Sequence, residues 1–276
     1  MRILAINDVS CVGKCSLTAT LPIISACGVE CNILPTALLS THTGGFDGYT
    51  FRDLTEDISG ILAHWKTLGL EFDYIYSGYL GSIEQIDKVS QIKKEFLKEG
   101  GKLIVDPVMG DSGDLYAGFT PEYVAKMREL CREADYILPN ATEACLLADL
   151  PYPLTKKNVG EALDRLRALG TIPIITGIMD GSDISVYFTG KNGGMYSFTH
   201  ENVEGFFCGA GDVFASAFVG CLARGKYVSE AIYLASDFVT RSIRRSAKEV
   251  PDKRFGLSFE PEIFLFLEKL NGVVPL

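Results

Sequence analysis

The fold is decided by residues 73–110, which read DYIYSGYLGSIEQIDKVSQIKKEFLKEGGKLIVDPVMG. The first ten residues have the pattern of an apolar strand that runs into a turn. Residues 84–100 have an amphipathic helix pattern that ends on a glycine, and the strand KLIVDPVMG follows. A strand, a helix and a second strand in this order predict a βαβ unit, whose two strands lie parallel in one sheet.

The same alternation of strands and helices continues on both sides of this unit. Further strands are predicted at RILAI (2–6), VECNIL (29–34), DYILPN (135–140) and IPIIT (172–176), with a β-hairpin at 184–200 around KNGG. Helices are predicted at about 16–26, 51–68, 121–133, 142–149, 156–169, 211–224, 229–247 and 261–270. The pattern predicts an α/β fold with a mostly parallel sheet and helices on both faces. Because no linker, repeat or low-complexity segment interrupts the pattern, residues 1–276 are interpreted as one domain.

The overall composition is typical of a globular protein with a large core, since 47% of the 276 residues are hydrophobic and 22% are charged. The formal net charge of −9 argues against nucleic-acid binding, which usually requires a basic face. No apolar run approaches the roughly 20 residues that cross a bilayer, and the N-terminus is interpreted as a first strand rather than a signal peptide. We therefore expect a cytoplasmic protein with neither a nucleic-acid nor a membrane partner.

The eight cysteines allow two interpretations. Four of them form two C-x3-C pairs, a spacing that resembles that of metal ligands: Cys11, Cys15, Cys27 and Cys31. However, a predicted helix-to-strand turn separates Cys27 from Cys31, and the three histidines are scattered along the chain. Reduced structural thiols are therefore favoured over a zinc site, and a disulfide framework is not expected in a long intracellular chain.

The ligand crevice is expected beyond the carboxyl ends of the strands, where parallel α/β sheets bind their ligands. This rule selects six loops that are rich in Asp, Asn, Ser, Thr, Gly and Tyr: 7–15, 40–48, 77–82, 106–116, 138–143 and 176–183. We expect the side chains of these loops that can do chemistry to converge on one crevice.

The first of these loops contains a Gly-Lys pair, in the stretch NDVSCVGKCSL (7–17), that suggests a nucleotide-binding P-loop. A P-loop needs the pattern G-x-x-x-x-G-K-[ST], because the first glycine turns the loop and the hydroxyl binds Mg²⁺. Here Asp8 occupies the position of the first glycine and Cys15 the position of the hydroxyl, so the P-loop is rejected. Two interpretations remain open: Asp8 and Ser10 hold a small polar ligand, or the segment is an ordinary βα turn with a solvated Lys14.

The strongest chemical signal lies in residues 203–220, VEGFFCGAGDVFASAFVG. Gly209, Ala210 and Gly211 lead into an apolar helix pattern, with Asp212 in its first turn. Unpaired backbone N–H groups at a helix start bind anions, and small residues let a phosphate approach them closely. Asp212 is then either a base that accepts the proton of an attacking hydroxyl, or only the cap of the helix.

Two further clusters bring oxygen ligands to predicted strand ends. DPVMGD contains Asp106 and Asp111, whose carboxylates suit Mg²⁺. PNATEACLL contains Asn140 and Glu143, three residues apart, which suit a hydrated metal or phosphates. The structural alternatives also remain open, because Asp106 can be a turn former and Glu143 a charge in the first turn of a helix.

Five motifs resemble, in this order and spacing, those of the vitamin B6 kinases of the ribokinase superfamily: SGYLGS, DPVMGD, PNATEACLL, IIT and GAGDVFASAF. The resemblance covers nearly the whole chain. G-x-G-D marks the superfamily, and HTGG with SGYLGS and DPVMGD is typical of the vitamin B6 branch. It implies a ribokinase-like three-layer α/β/α fold. The segment 7–50 leaves little room for the lid strands of sugar kinases, so we expect a reduced lid in which loops 40–48 and 111–118 exclude water.

The resemblance also implies a role for each matching position. Asp212 would be the base that deprotonates the hydroxymethyl group of the substrate, and an anion hole for the phosphoryl group would be formed by Gly209, Ala210 and Gly211. Positions near ATP would be Asp111, Tyr116, Asn140, Glu143 and Thr176. Mg²⁺ would be held by Asp106 and Glu143. The acceptor pocket would be lined by Asp8, Ser10, Thr43 and Tyr79.

Two positions depart from the family pattern. Ala210 stands where many members carry threonine, which removes a hydroxyl but leaves the backbone N–H groups. Asp8 stands where vitamin B6 kinases carry a serine that contacts the substituents of the pyridine ring, and Ser10 lies two residues further on. An acidic side chain there would favour the aminomethyl group of pyridoxamine, or a related hydroxymethylpyrimidine.

The function implied is ATP-dependent phosphorylation of the 5′-hydroxymethyl group of pyridoxal, pyridoxine or pyridoxamine. ATP and Mg²⁺ would be the cofactors, a homodimer is implied, and dependence on a monovalent cation (K⁺ or Na⁺) is left open. One alternative is a hydroxymethylpyrimidine kinase of thiamine metabolism, which shares the scaffold. Another is a ligand-binding relative without catalysis, although the acidic set Asp106, Glu143 and Asp212 argues against it. A nicotinamide-dependent dehydrogenase fits poorly, because the first βα turn lacks G-x-G-x-x-G.

Overall fold

The computed structural model describes residues 1–190, 192–205 and 207–274. The strands are β1 (Arg2–Val12), β2 (Glu30–Thr41), β3 (Phe51–Asp53), β4 (Phe72–Ser77), β5 (Leu97–Val105), β6 (Gly110–Asp111), β7 (Asp114–Leu115), β8 (Tyr136–Ile137), β9 (Ile172–Asp180), β10 (Asp183–Thr189) and β11 (Met195–Glu201). The helices are α1 (Ser16–Ala26), α2 (Thr55–Thr67), α3 (Ile83–Phe96), α4 (Pro121–Glu133), α5 (Ala141–Ala148), α6 (Val159–Arg167), α7 (Ala210–Ala223), α8 (Val228–Glu249) and α9 (Ile263–Leu270). Lys191 in the predicted hairpin turn and Phe206 in the stretch 203–220 lie outside the described residues.

The chain divides into two compact units. The first consists of Met1–Leu54 and His200–Leu276, and the second of Thr55–Thr199. The interpretation of residues 1–276 as one domain stays a prediction.

In the first unit, β1 runs parallel to β2, and β3 pairs antiparallel with the other edge of β2. Residues 3–6 of β1 are all buried, as expected for a strand covered on both faces. The apolar helix α7 packs against α1, where the hydroxyl of Ser216 donates a hydrogen bond to that of Thr20 over 3.0 Å. The amphipathic helix α8 packs against α7. The start of α1, the end of β1 and the start of α7 all belong to this unit.

The second unit carries the parallel succession β4, β5, β8 and β9, followed by β10 in the antiparallel direction and by β11 beside β10. Helices α2 to α6 pack in neighbouring pairs. Three of them begin at a side-chain cap: Ser82 accepts a hydrogen bond from Gln85 N, Thr120 from Tyr123 N, and Asn140 from Glu143 N. The third of these caps fixes the strand-to-helix junction that carries the predicted residues Asn140 and Glu143.

The mostly parallel α/β fold predicted from the sequence is confirmed. Four local predictions are wrong. The helix predicted over 84–100 ends earlier, because α3 ends at Phe96 and Leu97 already pairs with Phe72 of β4 as the first residue of β5. Residues 51–53 form strand β3 rather than the start of a helix, because β2 continues to Thr41 and offers its edge to Phe51 and Arg52. The segment 7–12 belongs to β1 rather than to a loop, since pairing with β2 continues to Val12. Likewise, most of 176–183 is strand, because β9 continues to Asp180.

Over the part that the structure describes, no helix combines the length and apolar character needed to span a membrane.

All eight cysteines are free thiols, and six of them are buried. Burial raises the pKa of the Cys27 thiol to about 12, so this fully buried side chain behaves as a small core hydrophobe.

Candidate active site

Asp8 lies at an irregular position of β1. The pairing register with β2 shifts between Asn7 and Val9, an irregularity of the kind that re-aims side chains. The buried Asp8 carboxylate accepts a hydrogen bond at Oδ2 from the hydroxyl of Ser10 (3.1 Å) and at Oδ1 from that of Ser16 (2.5 Å). Burial raises the pKa of Asp8 above its ordinary value, against the opposing effect of these two hydrogen bonds. Both oxygens of Asp8 are therefore already bonded within the protein.

The start of α7 leaves its first backbone N–H groups without a side-chain cap. Gly209 is the N-cap residue, has a left-handed backbone (φ 78°) and makes no side-chain hydrogen bond. A Cβ atom at this position would collide with the carbonyl oxygen of Lys14, so the close approach requires glycine. Since Gly209 is the cap, the alternative that Asp212 merely caps the helix is wrong. The N–H groups of this first turn are available to an anion.

Asp212, in this first turn, receives a hydrogen bond from β1, where the side-chain amide of Asn7 donates to Oδ1 over 3.3 Å. Burial, with the charge of Asp8, raises the pKa of Asp212 to about 6, while the nearby backbone N–H of Ser16 and the Asn7 amide oppose the shift. A carboxylate with a pKa just below neutral is ionised at pH 7 and still able to hold a proton, which suits a general base.

The loop that carries Thr43 is fastened to the turn at 252–256. His42 accepts a hydrogen bond from Gly44 N at Nδ1 (3.1 Å) and contacts the Arg254 carbonyl through Nε2 (2.5 Å). The Arg254 guanidinium donates to the Gly45 carbonyl over 2.9 Å and lies 4.9 Å from the centre of the Phe46 ring. The exposed Thr43 therefore lies in a loop whose neighbours are held by several contacts.

In the second unit, Asn140 and Glu143 hold the loop that follows β5 against the start of α5. The two residues form a capping box in which each side chain accepts a hydrogen bond from the backbone of the other, over 2.9 Å in both cases. Glu143 Oε1 also accepts from Met109 N (3.1 Å), and Asn140 Nδ2 donates to the Gly110 carbonyl (2.8 Å). Glu143 is therefore more than a charge in the first turn of α5, because its carboxylate also accepts a hydrogen bond from the backbone of Met109.

The residues predicted for Mg²⁺ lie around the end of β5 and the start of α5. Asp106 is buried directly after the end of β5, and Asp111 belongs to the short antiparallel pair β6–β7. Glu143 is fully buried, and burial raises its pKa above the ordinary value, as does the charge of Asp111. Within the described ranges, no group of three or more His, Cys, Asp or Glu side chains is arranged to hold a metal. Because Mg²⁺ usually takes one or two carboxylates with waters and substrate phosphates, its assignment to Asp106 and Glu143 stays a prediction.

The remaining predicted nucleotide residues are Tyr116 and Thr176. Tyr116 is exposed, and its backbone N–H donates to the Met109 carbonyl over 2.9 Å. Thr176 lies within β9 and bridges to Asn140, where its N–H donates to the Pro139 carbonyl over 2.9 Å. The structure thus brings Asn140, Glu143 and Thr176 together where β9 runs past the start of α5.

Tyr79 belongs to a stack of three aromatic rings. Its ring lies 5.9 Å from that of Phe119, and the Phe119 ring stacks on Tyr123 at 4.0 Å with an angle of 7° between the planes. The Tyr123 hydroxyl donates to the buried Leu80 carbonyl over 2.7 Å. Burial raises the pKa of Tyr123, so its hydroxyl remains a donor. The stack fixes the orientation of the Tyr79 ring predicted for the acceptor pocket.

Sequence reasoning missed several of these supporting residues. Asn7 and Ser16 carry no motif of their own, and only the structure shows that Asn7 donates to Asp212 and Ser16 to Asp8. The sequence pattern places Phe119 and Tyr123 only in a loop and a helix. The predicted site residues separate into a base and acceptor group in the first unit and a metal and nucleotide group in the second, with Tyr79 in the latter. Their convergence on one crevice stays a prediction.

The chain is similar to known kinases over most of its length. The family model described as phosphomethylpyrimidine kinase matches residues 16–254. A candidate phosphomethylpyrimidine kinase from Bacteroides thetaiotaomicron, solved with pyridoxal, is 35% identical with a TM-score of 0.90 and covers 100% of this chain and 96% of that one. Pyridoxal kinase from Lactobacillus plantarum is 32% identical with a TM-score of 0.91, covering 99% and 98%.

Two further relatives match over a shorter region. The pyridoxine kinase of Bacillus subtilis is 30% identical over 207 residues, which are 69% of this chain and 71% of that protein. A candidate pyridoxal kinase of Caenorhabditis elegans is 28% identical, and the match spans 65% of its length. The resemblance to vitamin B6 kinases stated from the motifs is confirmed. The chain belongs to the phosphomethylpyrimidine kinase family, among relatives that include vitamin B6 kinases of the ribokinase superfamily.

Proposed function

We propose that this chain transfers the γ-phosphoryl group of ATP to the 5′-hydroxymethyl group of pyridoxal, pyridoxine or pyridoxamine. The observation that carries the proposal is the uncapped start of α7, where Gly209 permits close approach and Asp212 lies in the first turn. The solved relative that contains pyridoxal supports the substrate class. Phosphoryl transfer depends mainly on positioning and charge stabilisation, which N–H groups and a base of this kind supply.

The proposed reaction uses the first unit as follows. The hydroxymethyl oxygen attacks the γ-phosphorus, the new O–P bond forms, and the bond from that phosphorus to the oxygen of the leaving ADP breaks. Asp212 accepts the hydroxyl proton, for which its pKa of about 6 is suited. The N–H groups contributed by Gly209, Ala210 and Gly211 stabilise the charge on the phosphoryl oxygens. Asp8, Ser10 and Thr43 are proposed to lie on the acceptor side.

The nucleotide and the metal are assigned to the second unit. Asp111, Tyr116, Asn140, Glu143 and Thr176 are proposed to contact ATP. Asp106 and Glu143 would hold Mg²⁺, which when bound neutralises phosphate charge. The capping box of Asn140 and Glu143 would keep the loop after β5 in place for this purpose. We also propose that a monovalent cation, K⁺ or Na⁺, assists the reaction, which activity measured with each chloride salt would test.

The second candidate function is a hydroxymethylpyrimidine kinase, because the family description and the Bacteroides thetaiotaomicron relative are both named phosphomethylpyrimidine kinase, which points to a pyrimidine acceptor. An assay of ADP release with pyridoxal, pyridoxine, pyridoxamine and 4-amino-5-hydroxymethyl-2-methylpyrimidine separates the two. We expect the highest kcat/KM with a B6 vitamer. Preference for the pyrimidine would replace the first proposal by the second, and no ADP release with any acceptor would favour a ligand-binding protein.

A cytoplasmic homodimer completes the proposal, as the resemblance implies. The free, mostly buried cysteines are consistent with a reducing compartment. Cell fractionation tests the location, and light scattering coupled to gel filtration tests the oligomeric state.

The pH dependence of turnover should report the titration of Asp212. Activity should fall as the pH drops through about 6, because the protonated carboxyl cannot accept the hydroxyl proton. Asp8→Asn removes a negative charge that raises the Asp212 pKa, so this acid limb should move to lower pH. The exposed Asp47 of the same unit serves as the control, since Asp47→Asn should leave the limb in place. An unmoved limb in Asp8→Asn would contradict the coupling.

The proposed role of Tyr79 predicts a selective effect on the acceptor. Tyr79→Ala should raise the KM for the vitamer roughly tenfold and leave the KM for ATP nearly unchanged, because the lost ring would pack against the acceptor alone. Phe119→Leu, which keeps Tyr79 but removes its stacking partner, should give a smaller increase. Tyr196→Ala, at an exposed tyrosine of β11, is the matched control. Equal changes in both KM values would contradict the assignment.

A further inference from the structure

The loop that carries Thr43 contains two consecutive glycines, Gly44 and Gly45, and the second of them lies against a distant arginine. Gly45 has a left-handed backbone (φ 80°), which glycine adopts without penalty. A Cβ atom added to it would lie 3.1 Å from Cδ and 3.4 Å from Cγ of Arg254. The aliphatic stem of Arg254, 209 residues later in the chain, therefore crosses the loop directly against Gly45.

The Arg254 guanidinium contacts the loop and the turn that carries it. Nη1 donates to the Gly45 carbonyl over 2.9 Å, and the group lies 4.9 Å from the centre of the Phe46 ring. On its other side, Nε donates to Asp252 Oδ1 over 2.9 Å and Nη2 to Oδ2 over 2.6 Å. Because Arg254 is about half exposed, this ion pair contributes little to stability. Its two-pronged geometry instead fixes the orientation of the guanidinium toward the loop.

His42 joins the loop to the same turn at a second point. A backbone N–H can only donate and a carbonyl can only accept. The contacts of Nδ1 with the Gly44 N–H and of Nε2 with the Arg254 carbonyl therefore require a neutral ring with its proton on Nε2. The ring also lies against Gly13, where an added Cβ would be 2.7 Å from Cδ2. The backbone and the side chain of Arg254 thus hold the loop at two points.

The loop and the turn both reach the start of α7. The thiol of Cys208, the residue before Gly209, donates to the Gly44 carbonyl over 3.8 Å. The N–H of Lys14 donates to the Phe255 carbonyl over 3.2 Å, and the carbonyl of the same Lys14 is the atom that a Cβ at Gly209 would meet. A loop held by Arg254 is therefore held beside the proposed phosphoryl site of the first unit.

We propose that Arg254 is a positioning residue for the acceptor, because it holds residues 42–46 in one arrangement beside the start of α7. This role rests on the proposed function, which places Thr43 on the acceptor side. Arg254 acts through the loop rather than on the vitamer. The proposal also explains why glycine occupies position 45, where a side chain would displace the Arg254 stem.

Removing the guanidinium should weaken the acceptor selectively. Arg254→Ala should raise the KM for the vitamer roughly tenfold, because a charged hydrogen bond and a cation–π contact to the loop are lost. The KM for ATP should stay nearly unchanged, since the proposed nucleotide residues lie in the second unit. Arg254→Lys keeps a cation but loses the two-pronged pair, so its vitamer KM should lie between those of wild type and Arg254→Ala. Arg244→Ala, which removes an exposed ion pair with Glu201, is the matched control and should change neither KM.

Gly45→Ala tests whether Arg254 acts through the loop. The added Cβ pushes against the Arg254 stem and also carries the penalty of a left-handed backbone. Gly48→Ala carries the backbone penalty alone, because its φ is 70° and an added Cβ meets no described atom within 4 Å. Gly45→Ala should therefore raise the vitamer KM more than Gly48→Ala does. In the Arg254→Ala background, where the stem is absent, the two glycine substitutions should have equal effects. If the excess effect of Gly45→Ala survives the loss of Arg254, the proposal is overturned.

Hydrogen exchange provides a readout that needs no catalysis. The Gly44 amide should exchange faster in Arg254→Ala than in wild type or Arg244→Ala, because the bond to His42 depends on a held loop. Unchanged exchange, an unchanged vitamer KM or equal rises in both KM values would each overturn the proposal. If Arg254→Ala does not fold, Arg254→Lys decides by the same measurements. A wild-type chain without vitamer kinase activity would overturn the proposed function, while the exchange comparison would still decide whether Arg254 holds the loop.

Discussion

Replacing Asp212 with asparagine should lower vitamer turnover by about 10²- to 10⁴-fold, the usual contribution of a positioned general base. The isosteric amide cannot accept the hydroxyl proton, although it preserves the shape of the first turn of α7. ATP binding should be nearly unchanged, because the proposed nucleotide residues lie in the second unit and do not include Asp212. Steady-state kinetics with the preferred vitamer and a direct measurement of ATP binding, by calorimetry, check both parts.

The same substitution should not destabilise the protein. Burial raises the Asp212 pKa from 3.8 to about 6, so the ionised carboxylate is less favourable in the folded than in the unfolded chain. The stability that Asp212 contributes is thus complete below its unfolded pKa and is lost as the pH rises through about 6. Removing the charge should raise the unfolding free energy at pH 7 by at most about 3 kcal/mol, and the gain should vanish near pH 4.

Chemical unfolding of wild type and Asp212→Asn at both pH values therefore separates a lost base from a damaged fold. Asp212→Ala, which also removes the hydrogen bond from Asn7, is the second variant. Near-normal turnover in either variant would remove Asp212 from its role. A stability loss at pH 7 in both would instead assign the carboxylate a structural role.

The order of elements could be predicted from the sequence because apolar periodicity reports burial directly. The α1 helix begins and ends where the pattern predicts, and α7 and α8 lie within two residues of their predicted bounds. The short strand β3 could not be predicted in the same way. Its three residues are all exposed and gain their conformation by pairing with β2, a tertiary interaction that leaves no periodic signal in residues 51–53.

The residues of the candidate site also fall into those that the sequence could predict and those that it could not. Asp212 and Gly209 could be predicted, because small residues followed by an acid at the start of an apolar helix are typical of an anion site with a base. Asn7 is a polar residue of an ordinary kind, and its hydrogen bond to Asp212, 205 residues away in the chain, is created only by tertiary packing. The bonds that occupy Asp8 were hidden for the same reason, because Ser10 and Ser16 could not be identified as its partners from spacing alone.

Replacing Gly209 with alanine should lower kcat by about 10²- to 10³-fold, as expected when a donor group of an anion site is displaced. It should also lower the unfolding free energy by about 2–3 kcal/mol, because two penalties add. The backbone at φ 78° is unfavourable for alanine, and the new Cβ would collide with the Lys14 carbonyl oxygen, so that the start of α7 or the turn before α1 must shift. Steady-state kinetics and denaturant unfolding check the two effects separately.

Gly225, just beyond the other end of α7, supplies the matched control. Its φ of 79° is nearly that of Gly209, but a Cβ added there would meet no atom within 4 Å among the described residues, so Gly225→Ala carries the conformational penalty without the collision. It should cost about 1 kcal/mol and leave turnover unchanged. Equal losses of stability in the two variants would show that the approach of Gly209 to Lys14 is unimportant. Full turnover in Gly209→Ala would contradict the assignment of the α7 start to the phosphoryl group, because a displaced first turn could not keep its N–H groups on the same anion.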